Sequence, residues 1–321
     1  VRAAVCPAYG EPEVVEVRDV DAPPLGPGQV RVRVVAASVN FPDVLIVADR
    51  YQLHVPPPFV PGSELAGVVD EVGDGVTGVA EGDRVLGTGL VGAFAEQAVL
   101  DARALVPVPD GVELRVAAAF GVAHRTAWHV LRSVAQVRPG EELVVLGAGG
   151  GVGLAAVQLG AHLGATVTAV ASTEAKLAAA RANGATRLVD HTAVDLRAAL
   201  KEVGGTDVVV DPVGGTLSEP ALRSMRYGGR FVTVGYASGE IPRIPLNLVL
   251  LKGVAVLGFE FLTFATNHPD ELQRNEAELL GLLGAGTLVP HIGASFPLAQ
   301  AADALRHVAD GRAIGKVIVD V

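Results

Sequence analysis

Between Glu141 and Gly164 the chain reads EELVVLGAGGGVGLAAVQLGAHLG, and few folds accommodate such a string. Leu143 to Leu146 is an apolar run too short for a helix, so it reads as a buried strand. Gly147, Gly149, Gly150, Gly151 and Gly153 follow, with only Ala148 and Val152 between them. Leu154, Ala155, Val157, Gln158 and Leu159 then carry helical spacing, and Gly164 is a natural stop. Strand, glycine turn and helix together make the phosphate-binding corner of a dinucleotide fold. The glycines let the backbone approach a pyrophosphate, and the helix N-terminus offers unpaired N–H groups to the anion. Two registers fit: Gly151 to Ala156 is a GxGxxA variant, while a reading from Ala148 gives AxxGVG. Either way Ala148, Gly150, Gly151, Val152 and Gly153 line the turn. Taken alone, the pattern also suits the strand-to-helix turn of any α/β protein.

The rest of the chain narrows the reading. Up to about residue 119, short alternating runs are broken by Pro and Gly: VVEVRDV (14–20), QVRVRVVAASV (29–39), ELAGVVDEVG (64–73) and DRVLGTG (83–89). That spacing predicts a β-barrel or sandwich. From about 120 to 261 the period switches to alternating strands and helices. Strands are expected at 166–171, 187–190, 207–211, 230–235 and 254–258, with helices at 174–183, 193–203 and 217–225 between them, which is a parallel sheet with crossover helices. Helices are expected at 269–283 and 299–310, and a last strand, 316–321, as an addition to the N-terminal β-domain. The expected organisation is therefore a nucleotide domain (120–261) inserted into a β-domain (1–119 and 262–321).

Composition excludes several function classes. A net charge of −10 without a basic cluster argues against a nucleic-acid surface. Cys6 is the single cysteine, so neither an intrachain disulfide nor a cysteine-based zinc site is possible. No signal peptide opens the sequence, and the longest apolar region, 241–261, is interrupted by Pro242, Arg243, Pro245, Lys252 and Glu260, so it does not read as a membrane span. A cytoplasmic protein is expected.

The strings VNFPDVLIVADRYQ, PFVPGSELAGVVDEVG, GAFAEQAV, GAGGGVGLAAVQLGAHLGA, DPVGGTL and YASGEIPRIPLNLVLLKG, in this order, resemble the medium-chain dehydrogenase/reductase superfamily. Within it they are similar to the zinc-free quinone oxidoreductase (zeta-crystallin-like) branch, over essentially the whole chain. The resemblance implies an α/β protein with a GroES-like β-domain and a doubly wound Rossmann domain, NADPH as cofactor, and a homodimer. It leaves the acceptor open.

An acid that would hold an adenosine ribose 2′-hydroxyl is expected about 20 residues past the glycine turn. Ala171 stands there, followed by Ser172 and Thr173, so a 2′-phosphate meets no carboxylate. Ser172 and Thr173 can donate hydrogen bonds and Lys176 can supply charge; alternatively Ser172 caps a helix and Lys176 is its solvated face. The resemblance matches Lys176 to the family's phosphate-binding lysine, and it exposes a departure, His191 where relatives commonly carry a Tyr. A contact from His191 would be pH-dependent.

The resemblance also bears on metal. Zinc-dependent members place a Cys where this chain has Asn40, and a His before Glu where it has Ser63-Glu64. Neither side chain is a good zinc ligand, and the histidines show no HExxH-like spacing, so no metal is expected. Reduction of an already electron-poor acceptor, a quinone or an enone, remains feasible without a Lewis acid. Asn40 and Tyr51 match family positions near the nicotinamide and the acceptor. Asn40 is expected to position the ring or polarise a carbonyl, and Tyr51 to donate a hydrogen bond or a proton. Tyr51 also suits simple packing in a Pro-rich loop; Asp43 matches a family position as well, but suits a cap after Pro42 equally. Thr126 is the candidate for a nicotinamide-side hydrogen bond. His124 and Arg125 read either as surface residues or as a polar, anion-favouring element. Val234, Gly235, Tyr236, Phe259 and Glu260, at strand ends, read as backbone contacts to the cofactor. The run 246–258 reads as a buried strand or as an edge pairing with a second subunit.

The function expected is NADPH-dependent reduction of quinones or other activated alkenes. The alternatives are an enoyl-thioester reductase and a non-catalytic, crystallin-like nucleotide-binding protein.

Overall fold

A computed structural model describes all residues from Val1 to Val321. The chain divides into two compact units, Val1–Val122 with Leu283–Val321 (unit 1) and Ala123–Leu282 (unit 2).

Unit 1 opens with an antiparallel pair, β1 (Arg2–Val5) and β2 (Glu16–Asp19). The long strand β3 (Gln29–Val39) leads to the short helix α1 (Phe41–Val47), and β4 (Glu64–Val72), β5 (Arg84–Thr88), β6 (Gln97–Asp101) and β7 (Leu105–Pro107) follow. Helix α2 (Leu114–Ala118) closes this part of the unit. Strand β3 shows how sequence becomes core. Val30, Val32 and Val34 alternate inward, and from Ala36 to Val39 every residue is buried. Its first half pairs with β6, its second half with the final strand of the chain, and β4 runs along its other side. Val32, Leu65, Val85, Phe94, Val317 and Val319 meet in the resulting core. Each such buried side chain contributes roughly 1.5–3 kcal/mol.

Unit 2 begins with α3 (Ala123–His129), which runs on into a π-turn closed by Ala135 N–H donating to the Val130 carbonyl at 2.7 Å. Then strands and helices alternate: β8 (Glu142–Leu146), α4 (Gly151–His162), β9 (Thr166–Ala171), α5 (Glu174–Ala182), β10 (Arg187–Asp190), α6 (Leu196–Glu202), β11 (Thr206–Asp211), α7 (Ser218–Ser224) and β12 (Met225–Thr233). Helix α8 (Leu246–Lys252) and strand β13 (Ala255–Gly258) complete the alternation. The strands form one parallel sheet in the order β10-β9-β8-β11-β12-β13, the doubly wound order expected. Val144, Leu146, Val170, Val209 and Phe231 pack beneath Leu200 and Leu222. After α9 (Phe261–Asn267) and α10 (Pro269–Gly284), the chain returns to unit 1 as β14 (Ile292–Pro297), α11 (Ala301–Ala309) and β15 (Lys316–Asp320). Strand β15 joins the β-sheet between β14 and β3, as the terminal apolar run predicts.

Two expectations need correction. The segment 262–282, expected with the β-domain, lies in unit 2. The reason is polar as well as apolar: Asn275 and Glu276 bond to His129, and Phe264 packs on the His129 ring with centroids 4.9 Å apart. The apolar run 246–258 is not one strand. Leu246–Lys252 is helical, ended by Gly253 in the left-handed conformation, and only Ala255–Gly258 is a strand, at the sheet edge. Leu246, Leu250 and Leu251 are about four-fifths exposed, so in this chain the helix buries little beyond Leu248. No helix is long and apolar enough to cross a membrane.

Candidate active site

In unit 2 the glycine turn lies at the C-terminal end of β8. Gly150 takes the N-cap position of α4 with no side chain capping it. The N–H groups of Gly151, Val152 and Gly153 have no carbonyl one turn before them, whereas Leu154 N–H reaches the Gly150 carbonyl at 2.8 Å. A β-carbon at Gly153 would collide with the Gly147 carbonyl, and one at Gly149 would lie 2.5 Å from Cβ and Cγ of Lys176. The lysine stem therefore lies across the bare face of Gly149. Ala148 is buried and donates its N–H to the Val170 carbonyl at 2.9 Å, tying the turn to β9.

The residues expected around a 2′-phosphate come together beside this turn. Strands β9 and β10 end in register, Ala171 opposite Asp190, and His191 N–H donates to the Ala171 carbonyl at 3.2 Å. Ser172 is half-buried at the same strand end. Thr173, not Ser172, caps α5, its hydroxyl accepting from the Lys176 N–H at 3.3 Å. Partial burial pushes the Lys176 ammonium below its ordinary value. A dinucleotide with a 2′-phosphate fits this set: a shallow glycine cradle, an uncapped helix N-terminus, a lysine at the cradle, and no carboxylate at 171.

Val234, Gly235 and Tyr236 follow the end of β12. Val234 N–H donates to the Asp211 carbonyl at 2.8 Å, and the exposed Tyr236 ring lies over Gly214, where a β-carbon would meet its Cδ1 at 2.8 Å. Sequence reasoning passed over Asp211. This fully buried carboxylate accepts from Val213 N–H (2.9 Å), Gly214 N–H (2.8 Å) and the Ser218 hydroxyl (2.5 Å), and so shapes the Pro212–Gly215 loop. Phe259 and Glu260 follow β13, and their side chains are engaged within unit 2. Phe259 is buried against Phe264, and the Glu260 carboxylate caps α9 by accepting from Leu262 and Thr263 N–H groups at 3.0 and 2.7 Å.

Thr126 is half-buried on α3. Its neighbours His124 and Arg125, read either as surface residues or as a polar, anion-favouring element, are largely buried. His124 is 3% exposed, with Nε2 3.1 Å from Gln158 Oε1 on α4. Arg125 donates to Glu276 at 2.8 Å and stacks on the Phe261 ring at 4.7 Å, so its charge is largely neutralised within the protein. Burial pushes the Glu276 carboxyl up, and His129 and Arg125 together outweigh it, holding the group below its ordinary value.

In unit 1, Asn40 closes β3 and precedes α1. Its backbone N–H donates to Asp43 Oδ2 at 2.7 Å, the half of a capping box that fixes the start of α1. The side chain is engaged on both ends: Oδ1 accepts from Lys316 Nζ at 2.6 Å, and Nδ2 donates to Glu64 Oε2 at 3.0 Å and Ser63 Oγ at 3.3 Å. Lys316 Nζ also bonds Glu64 Oε2 at 3.0 Å, with the two side chains 3% and 1% exposed. Glu64 Oε1 accepts from Val122 N–H at 2.8 Å. Burial pushes the Asp43 carboxyl up to about 7, against the Asn40 N–H, Ser63 and Lys316, which lower it. Tyr51 is half-buried, its ring packed on the core of unit 1. Lys316 was missed, although a charged residue opening the apolar strand KVIVD is a visible signal.

A zinc ion does not fit here. An amide and a hydroxyl stand where ligands would be needed, and the Lys316 ammonium, already on the oxygens of Asn40 and Glu64, would repel a second cation.

Residues 26–110 match the alcohol dehydrogenase GroES-like domain, and residues 151–278 match the zinc-binding dehydrogenase family. The quinone oxidoreductase-like protein 2 of Bos taurus is 37% identical over 324 residues, covering the whole of this chain and 92% of that protein. The crystal structure of the quinone oxidoreductase from Thermus thermophilus, described also in complex with NADPH, superposes with a TM-score of 0.87 at 35% identity over the full length of both chains. The polyketide synthase GfsB of Streptomyces halstedii is 40% identical over 300 residues, which is 93% of this chain and 5% of that protein.

Proposed function

The chain belongs to the quinone oxidoreductase-like family of the medium-chain dehydrogenase/reductase superfamily, and on that premise we propose that it reduces quinones or other activated alkenes with NADPH. One observation carries the cofactor reading: the Lys176 stem laid across Gly149, beside the end of β9, where Ala171 and Ser172 stand in place of an acid and His191 follows Asp190 on the neighbouring β10. NADPH supplies a hydride when bound. The chain's own residues do the rest. Uncapped N–H groups of α4 hold the pyrophosphate, and Lys176, Ser172 and His191 take the 2′-phosphate. Thr126 and the Val234–Tyr236 backbone hold the nicotinamide half. In unit 1, Asn40 is locked in one orientation by Lys316 and Glu64, and it presents a fixed polar group rather than a swinging one. Tyr51 donates a hydrogen bond to the acceptor oxygen. A quinone or enone suits such a site because negative charge develops on an oxygen that hydrogen bonds can stabilise.

The exposed leucines of α8 and the open edge of β13 support a homodimer, with a second copy of the chain covering them. A single cysteine, and a cofactor that the cytoplasm supplies reduced, make the cytoplasm the proposed location. The likeness to part of GfsB supports a second reading, reduction of an enoyl thioester. Following NADPH absorbance with a panel of quinones, enones and enoyl thioesters tests both. Turnover of quinones and enones is expected. Turnover of thioesters alone favours the second reading, and none at all leaves a nucleotide-binding protein without this catalysis.

A further inference from the structure

The loops that follow β11 and β12 in unit 2 are fastened to each other along their length. Ala237 N–H donates to the Pro212 carbonyl at 3.1 Å, Ser238 N–H to the Val213 carbonyl at 2.9 Å, and Gly215 N–H to the Glu240 carbonyl at 2.9 Å. The fit is close. Gly214 and Gly215 have φ of +71° and +61°, where a side chain is strained. A β-carbon at Gly214 would also lie 2.8 Å from the Glu240 carbonyl oxygen, and one at Gly215 2.8 Å from Ser238 Oγ. The first loop also touches the cofactor turn. Val213 Cγ2 lies over the bare face of Gly147, 2.5 Å from where a β-carbon would stand.

Asp211 anchors this assembly. Its Oδ1 accepts from Val213 N–H and Gly214 N–H, and its Oδ2 from the Ser218 hydroxyl, with the side chain fully buried. All three donors belong to the segment that follows Asp211 itself, so together they fix the path of that backbone. Between the fastened residues, the N–H groups of Gly235 and Tyr236 close no hydrogen bond with the protein. Such donors are left for water or for a ligand.

We propose that Asp211 is a positioning residue for the nicotinamide half of the cofactor. It locks residues 212–215 onto residues 237–240 and so holds the free Gly235 and Tyr236 N–H groups ready before the cofactor arrives. The proposal rests on the reductase reading and adds what keeps its nicotinamide grip rigid. Donors fixed in advance spend no ordering entropy on binding, so the lock strengthens the grip without touching the ligand. The effect is blind to the 2′-phosphate. That group is assigned to Lys176 and the end of β9, and β8 and β11 separate β9 from β12. Asp211→Asn offers one acceptor oxygen in place of two, so the three bonds cannot all survive as arranged.

Two measurements test this. In the nucleotide-free protein, the Ala237 and Ser238 amides, which do not touch Asp211, should exchange hydrogen about tenfold faster in Asp211→Asn. The amides of Phe231 and Val232 in β12 should keep the parent's rates. Titration should show NADPH and NADH weakened by the same factor, about tenfold, the worth of one charge-assisted hydrogen bond. By contrast 2′,5′-ADP, which carries the 2′-phosphate and no nicotinamide, should bind as it does to the parent. Ser218→Ala should move both readouts the same way by a smaller factor. The proposal is overturned if exchange at 237 and 238 is unchanged, or if NADPH binds Asp211→Asn as well as it binds the parent. It is overturned too if 2′,5′-ADP weakens as much as NADPH, the mark of a general loosening of unit 2. If Asp211→Asn does not fold, Ser218→Ala decides by the same criteria. A parent that binds neither NADPH nor 2′,5′-ADP sinks the reductase reading and the proposal with it. A parent that binds both, beside a variant that binds both equally well, sinks the proposal alone.

Discussion

The ammonium of Lys316, on the last strand, donates to the amide oxygen of Asn40 across 2.6 Å and to Glu64 across 3.0 Å, with all three side chains buried. Sequence positions 40, 64 and 316 are thus held together by one internal cation. Lys316→Met removes that cation and leaves Glu64 as an uncompensated buried charge, at a cost of about 3–5 kcal/mol. Neutralising both ends, Glu64→Gln with Lys316→Met, should restore a large part of the loss. Urea denaturation of the two single variants and the double variant checks this as a cycle. A double variant as unstable as the sum of the singles would mean that the two charges do not depend on each other.

Cofactor choice follows from Lys176. A charge-assisted hydrogen bond to a 2′-phosphate contributes about 1.5–3 kcal/mol, so Lys176→Ala should weaken NADPH about ten- to a hundredfold and leave NADH nearly untouched. Gly149→Ala should act in the same direction, because its β-carbon would displace the lysine stem. Fluorescence titration with both nucleotides reads the difference, and an equal loss for NADH and NADPH would count against the assignment.

How much of this was legible in the sequence differs by kind of signal. The parallel sheet was legible because a strand, a glycine turn and a helix repeat locally, and β15 was legible because an apolar run must find a sheet. The end of the nucleotide unit was not, because it is set by contacts across about 150 residues, Glu276 and Asn275 on His129, that no local pattern announces. The burial of His124 and Arg125 was not legible for the same reason: their partners, Gln158 and Glu276, lie far along the chain. The helix at Leu246–Lys252 was misread because leucines suit a strand or a helix equally, and their exposure removes the burial pattern that separates the two. Asn40 was found as a site residue, but its engagement by Lys316 needed the topology that brings β15 alongside β3.

The leucines of α8 predict the quaternary state. Leu250 is 80% exposed, so Leu250→Glu removes nothing from the core of its own chain. If a second copy covers α8 and the β13 edge, the charge should drive the protein toward monomer while leaving its thermal unfolding cooperative. Sedimentation equilibrium of parent and variant decides. A parent that is already monomeric at working concentration would remove the dimer.

Tyr51 offers the sharpest separation of roles. Its ring packs on the core of unit 1, and Tyr51→Phe keeps that packing, so folding and NADPH binding should survive. If its hydroxyl donates to the acceptor oxygen as charge develops there, the bond is stronger in the transition state than in the ground state, and its loss lowers turnover rather than binding. The rate should fall by roughly ten- to a hundredfold, the worth of about 1.4–3 kcal/mol. Quinones should suffer less than enones, because a quinone can take its protons from water after the hydride has arrived. A Tyr51→Phe protein that reduces both classes at the parent's rate would reduce the residue to loop packing.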